Sequence, residues 1–278
     1  MKNTRVLIHS LFFKPELTGI SKYTGEMVDW LVDSGVDCTV VTAFPFYPEW
    51  QIQKPYKNWF YVKETSANGL LTVYRCPLYV PNRPTGFTRI LHEFSFLFSS
   101  FFIFVILLFQ RKFDHIISVA PPFHLAFLAL FYRIFRNTRI LFHIQDLQID
   151  IARELGLIKS EALLSCLERL EVYALRKVDV VSSISSGMVA RIQKKVPKKV
   201  VFFPNWVDTD VLFPLPERST YKTTWGFKPT DKIVLYSGNI GGKQGLEQLL
   251  TVACEFSQQP EVKFVICGAG LYKETLVR

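Results

Sequence analysis

Nine short apolar runs recur along the chain with helical segments between them, and that alternation leaves few architectures open. They are Val6–His9, Asp37–Ala43, Leu71–Tyr74, His115–Val119, Arg139–Ile144, Val178–Ser182, Val200–Phe203, Ile233–Ser237 and Lys263–Cys267. After the first run comes a turn-rich stretch to Gly19, then a helix through about Ser34 carrying Met27, Val28, Trp30 and Leu31. Strand, helix, strand in repetition predicts doubly wound parallel sheets with helices on both faces, an α/β fold.

Between Pro204 and Thr230 the sequence turns rich in Pro, Asp and Thr, with Pro204, Pro214, Pro216 and Pro229, which reads as a connection between two domains. The expected division is a first domain over 1–207, a connection over 208–230 and the start of a second domain over 231–278. A length of 278 residues favours two domains over one, and 49% hydrophobic against 21% charged residues is the composition of a folded chain. Only two strands follow the connection, too few to close a doubly wound core, so the second domain is expected to be incomplete.

The net charge of +9 is uneven: residues 1–200 hold 25 Lys/Arg against 16 Asp/Glu, and the remainder holds 8 of each. A basic first domain favours polyanions, whether nucleic acid, an anionic membrane face or phosphorylated substrates. No nucleic-acid-binding signature accompanies it, and no nucleic-acid partner is expected. Five scattered cysteines without a Cys-x-x-Cys pair or nearby histidines suit reduced thiols and no metal site. Met1–Phe13 lacks a signal-peptide core, so a cytoplasmic location is expected.

Phe94–Phe109 carries no charge and is followed by Gln110, Arg111 and Lys112. As a helix it spans ~24 Å, short of the ~30 Å hydrocarbon core of a bilayer. Two readings survive: a helix buried on the sheet, and one whose outer face dips into the membrane interface. Phenylalanine all round the helix, and a second apolar segment at Phe123–Phe135 with Arg133, Arg136 and Arg139, favour the interfacial reading.

The first strand–turn–helix unit, HSLFFKPELTGISKYTGEM, lacks the glycine spacing of a dinucleotide fingerprint. Its Pro15–Gly19 loop belongs at the carboxyl edge of the first strand, where Gly19 either lets a phosphate or sugar approach the helix N-terminus or is an ordinary turn glycine. In Ser237–Glu247 a strand delivers Gly238, Asn239, Gly241, Gly242, Lys243 and Gly245 ahead of a helix. Exposed backbone amides and one cation suit a diphosphate; the alternative is a loop glycine cluster with a solvated lysine. His143 and Asp146 in ILFHIQDLQID stand near the carboxyl end of a buried strand. A carboxylate there suits acid/base chemistry or an acceptor hydroxyl, but Asp146 equally suits a helix cap and His143 a satisfied core histidine. Asn205 and Asp208 in PNWVDTD are turn formers. Lys194, Lys195, Lys198 and Lys199 read as a solvated face, with attraction to a membrane or diphosphate lipid as the alternative.

Five segments in one order resemble the family-4 glycosyltransferases of GT-B type: FFKPELTGISKYTGEM, VDVVSSISSGMVARI, VFFPNWVDTDVLFP, IVLYSGNIGGKQGLEQLL and VKFVICGAG. Within that family the chain is most similar to enzymes of colanic acid and other exopolysaccharide synthesis. The resemblance implies two Rossmann-like domains, the first binding acceptor and the second a nucleotide sugar. Glu16 and Gly19 become an acceptor or phosphate loop, and Asp146 and His143 the catalytic pair. Gly238, Asn239, Gly242, Lys243 and Gly245 become the donor site, and Asn205 and Asp208 the hinge. Asn239 stands where many relatives have Arg, and the later Glu-x7-Glu element is missing, so the resemblance is to a truncated member. It further implies a retaining, metal-independent and cofactor-free transfer from a GDP-fucose or UDP-N-acetyl-hexosamine type donor. The acceptor would be a polyprenyl-diphosphate-linked oligosaccharide at the cytoplasmic face of the bacterial inner membrane. A remnant that binds acceptor or membrane without turnover is the alternative.

Overall fold

The computed structural model describes residues 4–16, 19–216, 220–270 and 272–277, with the side chain of Lys243 outside the described atoms. Its contacts divide the chain into Met1–Trp206 and Val207–Arg278. Residues of the expected 208–230 connection thus group with the second unit.

The first unit is built on an eight-stranded sheet. Its strands are β1 (Arg5–His9), β2 (Asp37–Ala43), β3 (Val62–Ser66), β4 (Leu71–Cys76), β5 (His115–Ala120), β6 (Arg139–Ile144), β7 (Val180–Ser183) and β8 (Val200–Phe202). They run in the order β3-β4-β2-β1-β5-β6-β7-β8, all parallel except β3, which pairs antiparallel with β4. The α/β expectation stands. The strand order reverses between β1 and β5, and in open sheets of this kind the crevice outside the carboxyl ends at that point is where ligands bind.

Six helices accompany this sheet among the described residues: α1 (Ile20–Asp33), α2 (Gly86–Leu108), α3 (Leu125–Arg136), α4 (Gln148–Glu154), α5 (Glu161–Lys177) and α6 (Ser186–Lys195). Val28 and Val32 of α1 pack with Val6, Ile8, Val40 and Val73 in one core. Phe96, Ile103, Phe104 and Leu107 of α2 share a larger core with Leu7, Val41 and Ile116, joined by Leu125 and Tyr132 of α3. Since side chains alternate along a strand, Val6 and Ile8 face one side of the sheet and Leu7 the other, which is how β1 holds both cores together. Each fully buried Phe or Leu here contributes about 1.5–3 kcal/mol.

Local chemistry sets the helix starts. The Ser160 hydroxyl accepts from Leu163 N at 3.3 Å to open α5, and Ser185 from Met188 N at 3.2 Å to open α6. α2 opens on a reciprocal Thr85–Thr88 capping box, well before Phe94. It therefore has 23 residues and a length of about 34 Å, so the expectation of a helix too short to cross a bilayer is corrected. Among the described residues it is one helix long and apolar enough to do so. Its commitment of one face to the sheet is what opposes a span.

In the lysine run Lys194 and Lys199 are exposed, as a solvated face requires, but Lys195 and Lys198 are not free on it. Lys195 Nζ donates to Asp150 Oδ2 at 2.5 Å and Glu171 Oε2 at 2.6 Å, tying α6 to α4 and α5. Lys198 Nζ donates to the carbonyls of Leu175 and Arg176 at 3.0 and 3.1 Å, answering acceptors left open at the end of α5.

The second unit holds β9 (Lys232–Ser237) and β10 (Val262–Cys267), a parallel pair, with α7 (Tyr221–Thr224), α8 (Leu246–Glu255) and α9 (Lys273–Val277). Parallel strands are ordinarily covered on both faces, yet Val234 and Leu235 are 40% and 54% exposed.

Candidate functional site

In the first unit the residues singled out by sequence gather at the carboxyl edge of the sheet. The loop after β1 carries Glu16, which is buried. Its Oε1 accepts from Phe46 N at 2.7 Å and Tyr47 N at 2.8 Å, and its Oε2 from the Ser21 hydroxyl at 2.7 Å. That carboxylate holds the loop after β2 against the start of α1. Burial raises its pKa, while the three donors and Arg75 act in the opposite direction. Gly19 stands at the N-cap of α1 with φ 50° and ψ −119°, a conformation an L side chain rarely adopts, and α1 has no side-chain cap there. Leu17 and Thr18 lie outside the described residues.

His143, near the end of β6, is buried and pairs through Nδ1 with the Ser182 hydroxyl at 2.9 Å. Burial lowers its pKa to about 4, so it is neutral near pH 7. Its ring meets Phe203 edge-on at 5.3 Å, Phe203 lies 6.0 Å from Trp206, and Trp206 meets Tyr23 of α1 at 5.4 Å. Trp206 Nε1 also donates to Glu26 Oε2 at 2.7 Å. Asn205, half-buried, lies between Phe203 and Trp206 in sequence, and the ring contacts on either side of it join β6 to α1. Asp146 is half-buried in the bend between β6 and α4, and the N-cap position of α4 is Leu147, not Asp146.

Sequence reasoning missed a second group at this edge. Glu93, on the first half of α2, accepts from Gln148 Nε2 at 2.5 Å, and its backbone carbonyl pairs with His124 Nε2 at 3.4 Å. Phe94 stacks on the His124 ring at 4.7 Å and 16°. His9 at the end of β1 pairs with the Ser100 hydroxyl at 3.2 Å. Burial pushes the Glu93 carboxyl up to about 7, holds His124 and His92 near 4 and holds His9 near 3. A carboxyl titrating near neutrality beside neutral imidazoles can take or give a proton at working pH. A Glu on an apolar helix gives no sequence signal of this; only the crossing of α2 over the β5 and β6 exits brings it to Gln148. Among the described residues, no three of His, Cys, Asp and Glu gather as a metal site would require.

In the second unit the chain leaves β9 through Gly238 and Asn239. Gly238 N donates to Cys267 O at 3.0 Å and Ile240 N to Ala269 O at 2.8 Å, so the pairing of β9 with β10 continues into both loops. That closeness demands glycine: a Cβ at Gly268 would lie 1.9 Å from Gly238 O, and one at Gly270 2.0 Å from Ile240 O. A 3-10 turn over Gly242–Gln244 leads to Gly245, left-handed at φ 62° and ψ 36°, and α8 starts there without a side-chain cap. The ring of Tyr272 borders Gly242, and its hydroxyl donates to Glu247. The result is a helix N-terminus delivered by a glycine-rich loop at the carboxyl end of a parallel strand, an arrangement suited to an anion. The Lys243 side chain lies outside what the structure describes. Asp208 Oδ1 accepts from Asp210 N at 2.9 Å and Val211 N at 3.3 Å, which makes it a turn former in this unit.

Residues 18–206 match the model of the glycosyl transferase 4-like domain. The chain is 39% identical over 282 aligned residues to an Escherichia coli K12 protein named for colanic acid biosynthesis, the glycosyl transferase WcaI. That alignment covers 96% of this chain and 66% of the relative. Sucrose-phosphate synthase from Thermosynechococcus elongatus superposes with a TM-score of 0.68 at 15% identity, covering 95% of this chain and 62% of that one. Anabaena HepE, solved in complex with UDP-glucose, gives 0.59 at 11% identity, covering 98% and 63%. The chain thus spans just under two thirds of these relatives, and the two structural likenesses bear on its GT-B type fold.

Proposed function

The chain belongs to the glycosyl transferase 4-like family, and from that premise we propose that it is a retaining glycosyltransferase working without a metal or other cofactor. In this reading the second unit holds a nucleotide diphosphate sugar by the Gly238–Gly245 loop and the N-terminus of α8, with Lys243 adding the positive charge. The observation that carries it is the bond from Gly238 N to Cys267 O together with the close approach of Gly268 to the Gly238 carbonyl, which leaves a bare-backbone loop at the carboxyl end of β9. Neutralising the departing diphosphate is then the largest catalytic contribution. The carboxyl edge of the first unit takes the acceptor, with Asp146 and Glu93 as the carboxyl groups that meet its hydroxyl. In this reading the donor is of GDP-fucose or UDP-N-acetyl-hexosamine type and the acceptor a lipid-linked oligosaccharide at the cytoplasmic face of the inner membrane; what supports it is likeness to a protein named for the synthesis of a polysaccharide, colanic acid. HepE, whose structure contains UDP-glucose, supports a nucleotide sugar as the class of donor.

The test is transfer of label from radiolabelled nucleotide sugars into lipid by bacterial membranes plus purified protein. Wild type should label the lipid and Lys243→Ala should not. Transfer by neither would favour a second reading, a chain that binds acceptor or membrane without turnover.

A further inference from the structure

α2 has two apolar faces, and the core uses one of them. Phe96, Ile103, Phe104 and Leu107 are buried against the sheet. Phe87, Leu91, Phe94, Phe98, Phe102 and Ile106 follow each other at intervals of three or four residues along the opposite face, between 45% and 75% exposed. The stripe runs for about 28 Å. Its neighbour α3 widens it: Phe101 lies 5.3 Å from Phe131, Phe131 lies 5.3 Å from Phe135, and Ile134 and Phe135 point outward. Monomers rarely leave so many large apolar side chains contiguous.

Charge identifies the occupant. Between Glu93 and Arg111 there is no charged residue, whereas exposed Arg83 and Arg89 stand at one end of the stripe and exposed Arg111, Lys112 and Arg139 toward the other. Pairing two copies of this face, parallel or antiparallel, sets basic ends against basic ends, which repel. An anionic lipid surface accepts the phenylalanines between its acyl chains and the cations at its headgroups. We propose that α2 and α3 are the surface by which the first unit lies on an anionic bilayer, in the plane of the interface and not across it. The proposal deepens the reading of a lipid-borne acceptor. Phe94 of the stripe stacks on His124 and adjoins Glu93, so the bilayer surface meets the carboxyl edge where such an acceptor would arrive.

Flotation with phosphatidylcholine vesicles, with and without phosphatidylglycerol, tests this and needs no sugar substrate, so its outcome is separate from that of the transferase assay. Wild type should float with the anionic vesicles, less so as salt is raised. Phe98→Ser combined with Phe102→Ser should lower binding by at least about tenfold at unchanged circular dichroism. Should that variant fail to fold, Phe98→Trp decides: its added emission should shift to the blue on anionic vesicles and be quenched by brominated acyl chains. Wild type that does not float, binding undiminished in a folded double-Ser variant, or Trp emission that ignores lipid would each overturn the proposal. So would a dimer that the double-Ser variant converts to monomer, which would assign the stripe to a second copy.

Discussion

Gln148 Nε2 donates to Glu93 Oε1 at 2.5 Å, joining the first half of α2 to the start of α4 at the carboxyl edge of the sheet. One uncharged donor and the charge of Arg89 do not offset the loss of water, and the Glu93 carboxyl is pushed up to about 7.

Because that folded-state value lies above the unfolded one, the folded protein holds an extra proton between about pH 4.5 and 7. The Glu93 contribution is whole below that window and is lost as pH rises through it. Glu93→Gln should remove this slope, leaving the variant about 1–3 kcal/mol less pH-sensitive between pH 5 and 8 in urea unfolding. Equal slopes in both proteins would contradict the placement.

Four buried histidines act in the opposite sense. His9, His92, His124 and His143 are held at about 3 to 4, so the unfolded chain takes up protons first as pH falls below about 6.5. Each contribution is present above that value and declines by about 1.4 kcal/mol per pH unit toward the folded pKa. His143→Gln should shallow the acid limb of the stability profile by about one proton, read from denaturation midpoints at successive pH values.

Lys195 meets Asp150 and the buried Glu171. Lys195→Met leaves Glu171 charged without compensation and should cost about 3–5 kcal/mol in chemical unfolding. Adding Glu171→Leu should restore most of it. A single variant as stable as wild type would show the triad to be idle.

Gly268→Ala forces a methyl into the Gly238 carbonyl, a backbone group that cannot swing aside. The β9–β10 pairing should weaken by about 2 kcal/mol or more, seen as faster proteolysis within 207–278 while the first unit keeps its resistance.

The apolar strands of the sheet were legible because burial on both faces writes continuous Val, Ile and Leu runs. β3 was not, since Val62–Ser66 is an edge strand open to solvent and reads as polar loop. The start of α2 was hidden because its capping box is made of two threonines, without the Glu or Gln that marks the usual pattern. At the site, the loops carrying Gly19, Asp146 and Gly245 could be placed at strand ends from order alone. That Glu16 reaches Tyr47, that Lys195 and Lys198 work inside the fold, and that Glu93 reaches Gln148 all depend on contacts between residues 23 to 55 positions apart, which no local pattern records.

In the proposed function the Gly238–Gly245 loop and Lys243 bind the diphosphate of a nucleotide sugar. Equilibrium binding of UDP and GDP to wild type and Lys243→Ala measures it most directly. Wild type should bind at least one nucleotide saturably, with a loss of about tenfold or more in the variant. No binding to wild type, or equal binding by both proteins, would contradict it.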